Sequence, residues 1–225
     1  MRLPLVFAVT MVLGLTGCAG GTGAADPEAT LSAAHDSFAS ASSVTIALTS
    51  EDVPKNSEGV TAAEGVGAFD ATTPKFKGTV TGKLQGVAGD FDVIAIGDEM
   101  WFKFFTPDYL PLDVVATGVL NPATLFNPST GLPALLEQTT EIAAGEQQRD
   151  GDVVLDIITG KLSGDLVSSL LKLGEPGSTF DVTYGITADG ELRTAVLTGE
   201  FFPGATSTYT FVVTDYGTPV DIERP

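Results

Sequence analysis

Every second residue from Phe76 to Leu84 is apolar or glycine: Phe76, Gly78, Val80, Gly82 and Leu84. The residues between them, with Lys75 at the start, are Lys or Thr. A period of two with one wet face predicts a half-buried antiparallel strand over Lys75–Gln85. Glycines inside such a strand mark close approach by a ligand or by another backbone. The same alternation predicts a strand at Val44–Thr49, with Val44, Ile46 and Leu48 on one face, and a weaker one at Ala62–Ala71. Phe91–Ile96 and Glu99–Phe105 read as a hairpin around Gly97-Asp98, and the even-numbered side chains there are assigned to the interior. Thr140–Arg149 and Asp152–Lys161 flank Asp150-Gly151, a strong hairpin signal. Val153, Leu155 and Ile157 share one face of the second strand. Three more strands are predicted, at Thr179–Thr187, Glu191–Glu200 and Thr206–Asp215, and a short one near Val220–Ile222.

Helical spacing appears in three places. Asp26-Pro27-Glu28 has the form of a helix start, with Asp26 as cap and Pro27 at the first turn; Leu31, Ala34 and Phe38 carry the helix to about Ala41. Thr106–Gln138 interrupts the strands with five prolines, and each Asn-Pro pair has the form of a helix start. Two short helices are expected there, at Pro122–Phe126 and about Leu132–Gln138, packing Leu125, Phe126, Leu132, Leu135 and Leu136 onto the sheet. Asp165–Leu173 reads as an amphipathic helix with Leu166, Leu170 and Leu173 in one stripe. The sum is an α+β domain: a large antiparallel sheet with helices segregated to one face. The helical insertion is the candidate lid, since long insertions of this kind are often functional.

Composition sharpens this picture. Hydrophobic residues make up 43% of the chain and charged residues only 18%. That apolar excess must fill a core, line a cavity or meet a lipid. The formal net charge is −18, which disfavours nucleic acid and anionic headgroups as partners. The single cysteine, Cys18, ends Leu15-Thr16-Gly17-Cys18 behind an apolar run from Leu3 and a positive Arg2. That order has the form of a lipoprotein signal, with 1–17 as the signal peptide, Cys18 as the acylated residue and 18–25 as acylated cysteine and flexible tether. Two acyl chains on Cys18 would satisfy the two-signal requirement for stable anchoring. The domain then runs over 26–225.

Recognised catalytic patterns are missing. His35 is the only histidine, so no serine or cysteine triad can be assembled around an imidazole. Phosphate-binding glycine motifs and the G-x-S-x-G elbow are absent. Asp90/Asp92 and Asp150/Asp152 read as turn and edge residues, and neither pair matches an EF-hand loop. Trp101, Phe104 and Phe105 could stack a sugar, but core packing is the commoner role of such aromatics. No enzyme activity, cofactor or metal is expected.

Several segments together resemble a known family. They are the lipobox at Cys18, Ile94-Ala95-Ile96-Gly97-Asp98-Glu99-Met100-Trp101-Phe102-Lys103, Leu120-Asn121-Pro122, Asn127-Pro128-Ser129-Thr130-Gly131-Leu132-Pro133-Ala134-Leu135-Leu136, and Asp150-Gly151 through Ser163. The chain resembles the LppX/LprAFG lipoproteins of mycobacteria and actinobacteria from about Ala34 to Val220. The resemblance implies a strongly curved antiparallel half-barrel with helices on its concave face enclosing a hydrophobic cavity. It implies a lining from Phe76, Val80, Leu84, Ile94, Ile96, Met100, Phe102, Phe104, Leu135, Leu136, Leu155, Ile157, Val182 and Tyr184. It also implies a monomer anchored in the inner membrane and facing the periplasm or cell wall. Such a carrier would take triacylglycerol, phosphatidylinositol mannosides, lipoarabinomannan-type lipoglycans or phthiocerol lipids toward the outer envelope, with a lipid-exporting transporter as a possible partner. The alternative is a scaffold lipoprotein presenting an acidic surface to another envelope protein; a carboxylate-dependent hydrolase ranks third.

Overall fold

The computed structural model describes residues 26–84 and 86–225. The signal segment, Cys18 and the tether lie outside the described residues. A first meander comprises β1 (Ser43–Glu51), β2 (Gly59–Ala68), β3 (Lys75–Leu84), β4 (Val87–Ile96), β5 (Glu99–Lys103) and β6 (Leu110–Leu112). The second half comprises β7 (Thr140–Ala144), β8 (Gln148–Asp150), β9 (Val153–Ser163), β10 (Thr179–Thr187), β11 (Leu192–Phe202) and β12 (Ala205–Thr214). All twelve belong to one open antiparallel sheet, ordered β6-β5-β4-β3-β2-β1-β12-β11-β10-β9-β7, with β8 also paired to β9. The halves join where β1 meets β12, from Thr45 opposite Thr214 to Glu51 opposite Thr208.

This topology leaves β6 at one edge and β7 at the other. The segment between them, residues 113–139, must therefore cross a whole face of the sheet. It does so as α2 (Val114–Thr117), a 3-10 helix over Pro122–Phe126 and α3 (Pro133–Glu137), following α1 (Pro27–Ser40) and preceding α4 (Gly164–Leu171). Local chemistry sets these boundaries. The Asp26 carboxylate accepts from the Glu28 N–H ahead of α1, and Asn121 accepts from the Ala123 N–H ahead of the 3-10 helix. Proline follows each of these caps directly. The covered face carries one continuous apolar core, to which α1 adds Leu31, Ala34 and Phe38 and the crossing segment adds Leu125, Phe126, Leu132, Leu135 and Leu136.

Three expectations change. Val220–Ile222 is not a strand; it is an extended tail whose Ile222 packs with Ile94 and Ile96 on the opposite face of the sheet, where the Lys75 ammonium donates to the Ile222 carbonyl. Thr140–Arg149 is two short strands, because the ladder shifts register between Thr140 and Ala143 and breaks after Ala144. The helix near Asp165 starts at Gly164, capped by the Ser163 hydroxyl, and fully buries Val167, Leu170 and Leu171 in place of the stripe Leu166, Leu170, Leu173. Leu166 and Leu173 are only half-buried against the core.

Candidate functional site

The first meander is glycine-rich where it lies under the crossing segment. Gly65 stands opposite Gly78 on adjacent strands. A Cβ at Gly78 would come within 2.2 Å of the Glu64 carbonyl oxygen and 2.8 Å of the Phe76 ring. A Cβ at Gly67 would lie 1.9 Å from the Phe126 ring. The glycines therefore admit neighbouring backbone and aromatic rings, and Phe126 of the crossing segment stacks on Phe76 with 5.9 Å between centroids. This tight patch is one wall of the site.

Beyond Phe76 and Phe126 the packing stops. An apolar cavity of about 310 Å³ separates the sheet from the crossing segment. Its floor is Ile46, Leu48, Val60, Ala63, Phe76, Val80, Leu84, Val87, Phe91, Val93, Met100, Phe102 and Phe104, with Tyr209 and Phe211 from β12. Leu112 of β6 continues the floor, the roof is Thr117, Val119, Leu120, Pro122, Leu125 and Phe126, and Leu171 and Leu173 close the side. Among the described residues, no charged one lines it. Its polar atoms are few, and one of them is engaged: the Tyr209 hydroxyl donates to the Val60 carbonyl at 2.8 Å. Burial pushes that phenol up to about 12, as expected where the charged form has no water. The volume lies at the small end of the roughly 300–1,000 Å³ typical of small-molecule sites.

Six of the fourteen residues expected to line a cavity do so: Phe76, Val80, Leu84, Met100, Phe102 and Phe104. Leu135, Leu136 and Tyr184 border a separate crevice of about 10 Å³, no larger than one water needs. Tyr184 there is a structural link, its hydroxyl lying 2.9 Å from Thr139 Oγ1 and donating to the Leu135 carbonyl at 3.1 Å. Val182 is packed in the core away from the cavity. Four residues point elsewhere. Ile94 and Ile96 lie on the opposite face under Ile222. Leu155 and Ile157 stand opposite Thr187 and Gly185, whereas the core residue Ile158 stands opposite Tyr184; the strand's alternation puts the first two on the far face.

The hairpin register sets which face each β4 side chain takes, opposite to the even-numbered assignment. The two-residue Gly97-Asp98 turn pairs Ile96 with Glu99, and hence Val93 with Phe102 and Ala95 with Met100. Residues opposite each other share a face, so odd positions of β4 accompany even positions of β5. Phe91 and Val93 are the lining residues this register reveals. Leu112, Val119, Leu120, Tyr209 and Phe211 reach the cavity through long-range topology, for which the sequence carries no local signal.

Beside the Ile94, Ile96 and Ile222 cluster, the opposite face of the first meander carries polar pairs. Asp92 accepts from Thr79, and its carboxylate sits 3.1 Å from the Lys103 ammonium; the hydrogen bond from Lys103 holds its pKa below the usual range. Asp90 accepts from Thr81 at 2.7 Å. Asp150 faces Arg193 at 3.5 Å. Asp90 and Asp92 are thus engaged by cross-strand partners. His35 lies on α1 with Nδ1 3.1 Å from Asp36 Oδ1. Among the described residues, no group of three or more His, Cys, Asp or Glu could hold a metal, and no helix is long and apolar enough to cross a membrane.

Comparison with known proteins adds to this geometry. The sequence profile of a family described as LppX_LprAFG lipoprotein matches residues 26–222. The fold is similar to that of LprF from Mycobacterium bovis, with a TM-score of 0.75 at 13% identity, covering 88% of this chain and 96% of that one. It is also similar to the Mycobacterium tuberculosis lipoprotein LppX, with a TM-score of 0.63 at 17% identity, covering 87% and 97%. A sequence search of curated proteins finds no match.

Proposed function

The chain belongs to the LppX_LprAFG lipoprotein family, and on that premise we propose that it is a non-enzymatic lipid carrier of the cell envelope. The open sheet acts as a half-barrel that holds acyl chains beneath the crossing segment. The observation that carries this reading is the cavity of about 310 Å³, apolar on all sides and free of lining charge. A soluble carrier has to shield acyl chains from water, since each exposed CH₂ costs about 0.8 kcal/mol. Reversible burial needs no covalent chemistry.

The cargo we propose is a multi-acylated lipid or lipoglycan, moved from the inner membrane toward the outer envelope. Anchoring is through acylated Cys18, the domain facing the periplasm or cell wall as a monomer and receiving cargo from a membrane transporter. Several acyl chains need more room than the low end of the small-molecule range, so loading widens the site. The part of the crossing segment best suited to move is α2, which buries no residue.

Native mass spectrometry of the chain from Ala19 onward, made in an actinobacterial host, tests the reading. The expected result is extra mass that organic solvent releases as intact acylated lipid. A bare mass that stays bare after incubation with envelope lipids would transfer the assignment to a scaffold lipoprotein.

A further inference from the structure

Six large apolar side chains are exposed among the described residues, and four of them belong to segments that line the cavity. Phe105 and Val115 are 94% and 91% exposed, and Val87 and Leu110 are both 47% exposed. The other two, Val153 and Val154, flank the β8–β9 turn. Isolated exposed apolar residues are ordinary; these four are each adjacent to the cavity wall. The Phe105 ring lies 4.2 Å from that of Phe104, which lines the cavity. Leu110 pairs with Phe102, another lining residue. Val115 sits in α2 between Val114, which packs against the core, and the lining Thr117, and points outward from the cavity into solvent. Val87 itself lines the cavity while half exposed, so the cavity reaches solvent at this point. Four separate segments thus hold exposed apolar side chains next to lining residues of the cavity.

The backbone reinforces the pattern. Phe105 has φ +54°, a conformation that bulky residues rarely adopt and that carries strain. It turns a phenylalanine ring into water directly beside the stacked pair Phe91 and Phe104. Lys103, two residues before Phe105, is held by Asp92 on the other face, and Asp108 and Asp113 fall between Phe105 and Val115 in sequence. With a chain charge of −18, this end is not built to attract anionic headgroups. Its contact with a bilayer would be apolar.

We propose that Phe105, Val115, Leu110 and Val87 form a membrane-inserting rim, through which acyl chains pass between a bilayer and the cavity. The proposal rests on the carrier reading. The occupant is a lipid surface because the patch continues, at Val87, into a cavity with no charged lining residue, so an acyl chain leaving a bilayer there enters an apolar site. A protein seated on the same four residues would stopper that path.

The test places a fluorophore on the rim of the full chain. Trp101 is the only tryptophan and lies on the opposite face, so Trp101→Phe gives a dark background. In that background Phe105→Trp reports on the rim, and Val153→Trp reports on the distant turn. With vesicles of phosphatidylcholine brominated along its acyl chains, the expected result is quenched emission from position 105 and unchanged emission from position 153. Equal emission from both positions, with and without bromine, overturns the proposal. A blue shift at position 105 that grows with protein concentration, without vesicles, assigns the patch to a second copy of the chain and also overturns it. The pair Phe105→Asp and Val115→Asp should slow lipid uptake at least about tenfold, with the circular dichroism spectrum unchanged. Quenching at 105 in a protein that never carries lipid would keep the rim and remove the cargo; lipid in the cavity without quenching would keep the cargo and remove the rim.

Discussion

At the scale of single residues, the positions that shape the site are those without side chains. Gly67 leaves the space that the Phe126 ring occupies, so any Cβ there meets the ring at 1.9 Å. Gly67→Ala must push Phe126 off Phe76 or part the strands. Overpacking of this kind typically costs about 1–3 kcal/mol, and urea denaturation should show a loss in that range. An unchanged midpoint would mean that the Phe126 ring is not held against β2. Glycines in a strand were visible in the sequence, and so was their general meaning. Whether each glycine admits a ligand, a backbone or a ring was not, because that depends on a segment almost sixty residues further along. Ile94 and Ile96 are different: the adjacent Gly97-Asp98 turn sets their register with β5, so the face they take was legible in the sequence.

At the scale of elements, the crossing segment divides into a pinned part and a free part. The 3-10 helix is held by the Asn121 side-chain amide on the Gly97 carbonyl at 2.8 Å, by the Asn127 amide on the Ala71 carbonyl at 3.1 Å, and by the fully buried Phe126. α3 is tied to β10 through Leu135, Thr139 and Tyr184. α2 has its Asp113 cap but no buried residue. Hydrogen exchange should therefore show slow amides at Phe126 and Leu135 and fast ones at residues 115–117, since local opening follows local burial. Uniform protection across 113–139 would remove α2 as the moving part. The Asn121-Pro122 pair located the 3-10 helix with the boundaries expected, but Asn127-Pro128 starts no helix: Asn127 closes a turn by accepting from the Ser129 and Thr130 N–H groups, and α3 begins at Pro133. α2 was hidden because four residues carry no readable period. Element contacts also respond to pH. Tyr209 joins β12 to β2 through the Val60 carbonyl, and burial raises its phenol to about 12, against about 10 in an unfolded chain. The neutral phenol's contribution is complete below pH ~10 and lost as pH climbs toward ~12, because the unfolded state gives up its proton first. Stability should fall across that window, and less steeply in Tyr209→Phe; parallel pH profiles for the two proteins would contradict the assignment.

At the scale of the whole molecule, the question is whether the apolar excess fills a core or leaves a cavity. The sequence showed the excess and the α+β class, and alternation located most strands. It held no sign that β1 pairs with β12, yet that pairing places Tyr209 and Phe211 on the cavity floor beside Ile46 and Leu48. One substitution separates the two outcomes. Val80 lies in the middle of β3 with its side chain on the cavity floor. In a filled core, Val80→Trp would overpack and cost about 1–3 kcal/mol. Beside about 310 Å³ of empty apolar space, the indole has room, so the lipid-free protein should melt no lower than the parent while its lipid content falls sharply. The parent should itself melt higher with lipid than without, because a ligand that binds only the folded state stabilises it in proportion to RT ln(1 + [L]/Kd). In Val80→Trp that difference should shrink toward zero. Paired melting curves, with and without solvent extraction, therefore test the cavity as a volume and as a binding site at once. A variant that melts lower while retaining its lipid would place Val80 in an ordinary core and move the acyl chains elsewhere in the molecule.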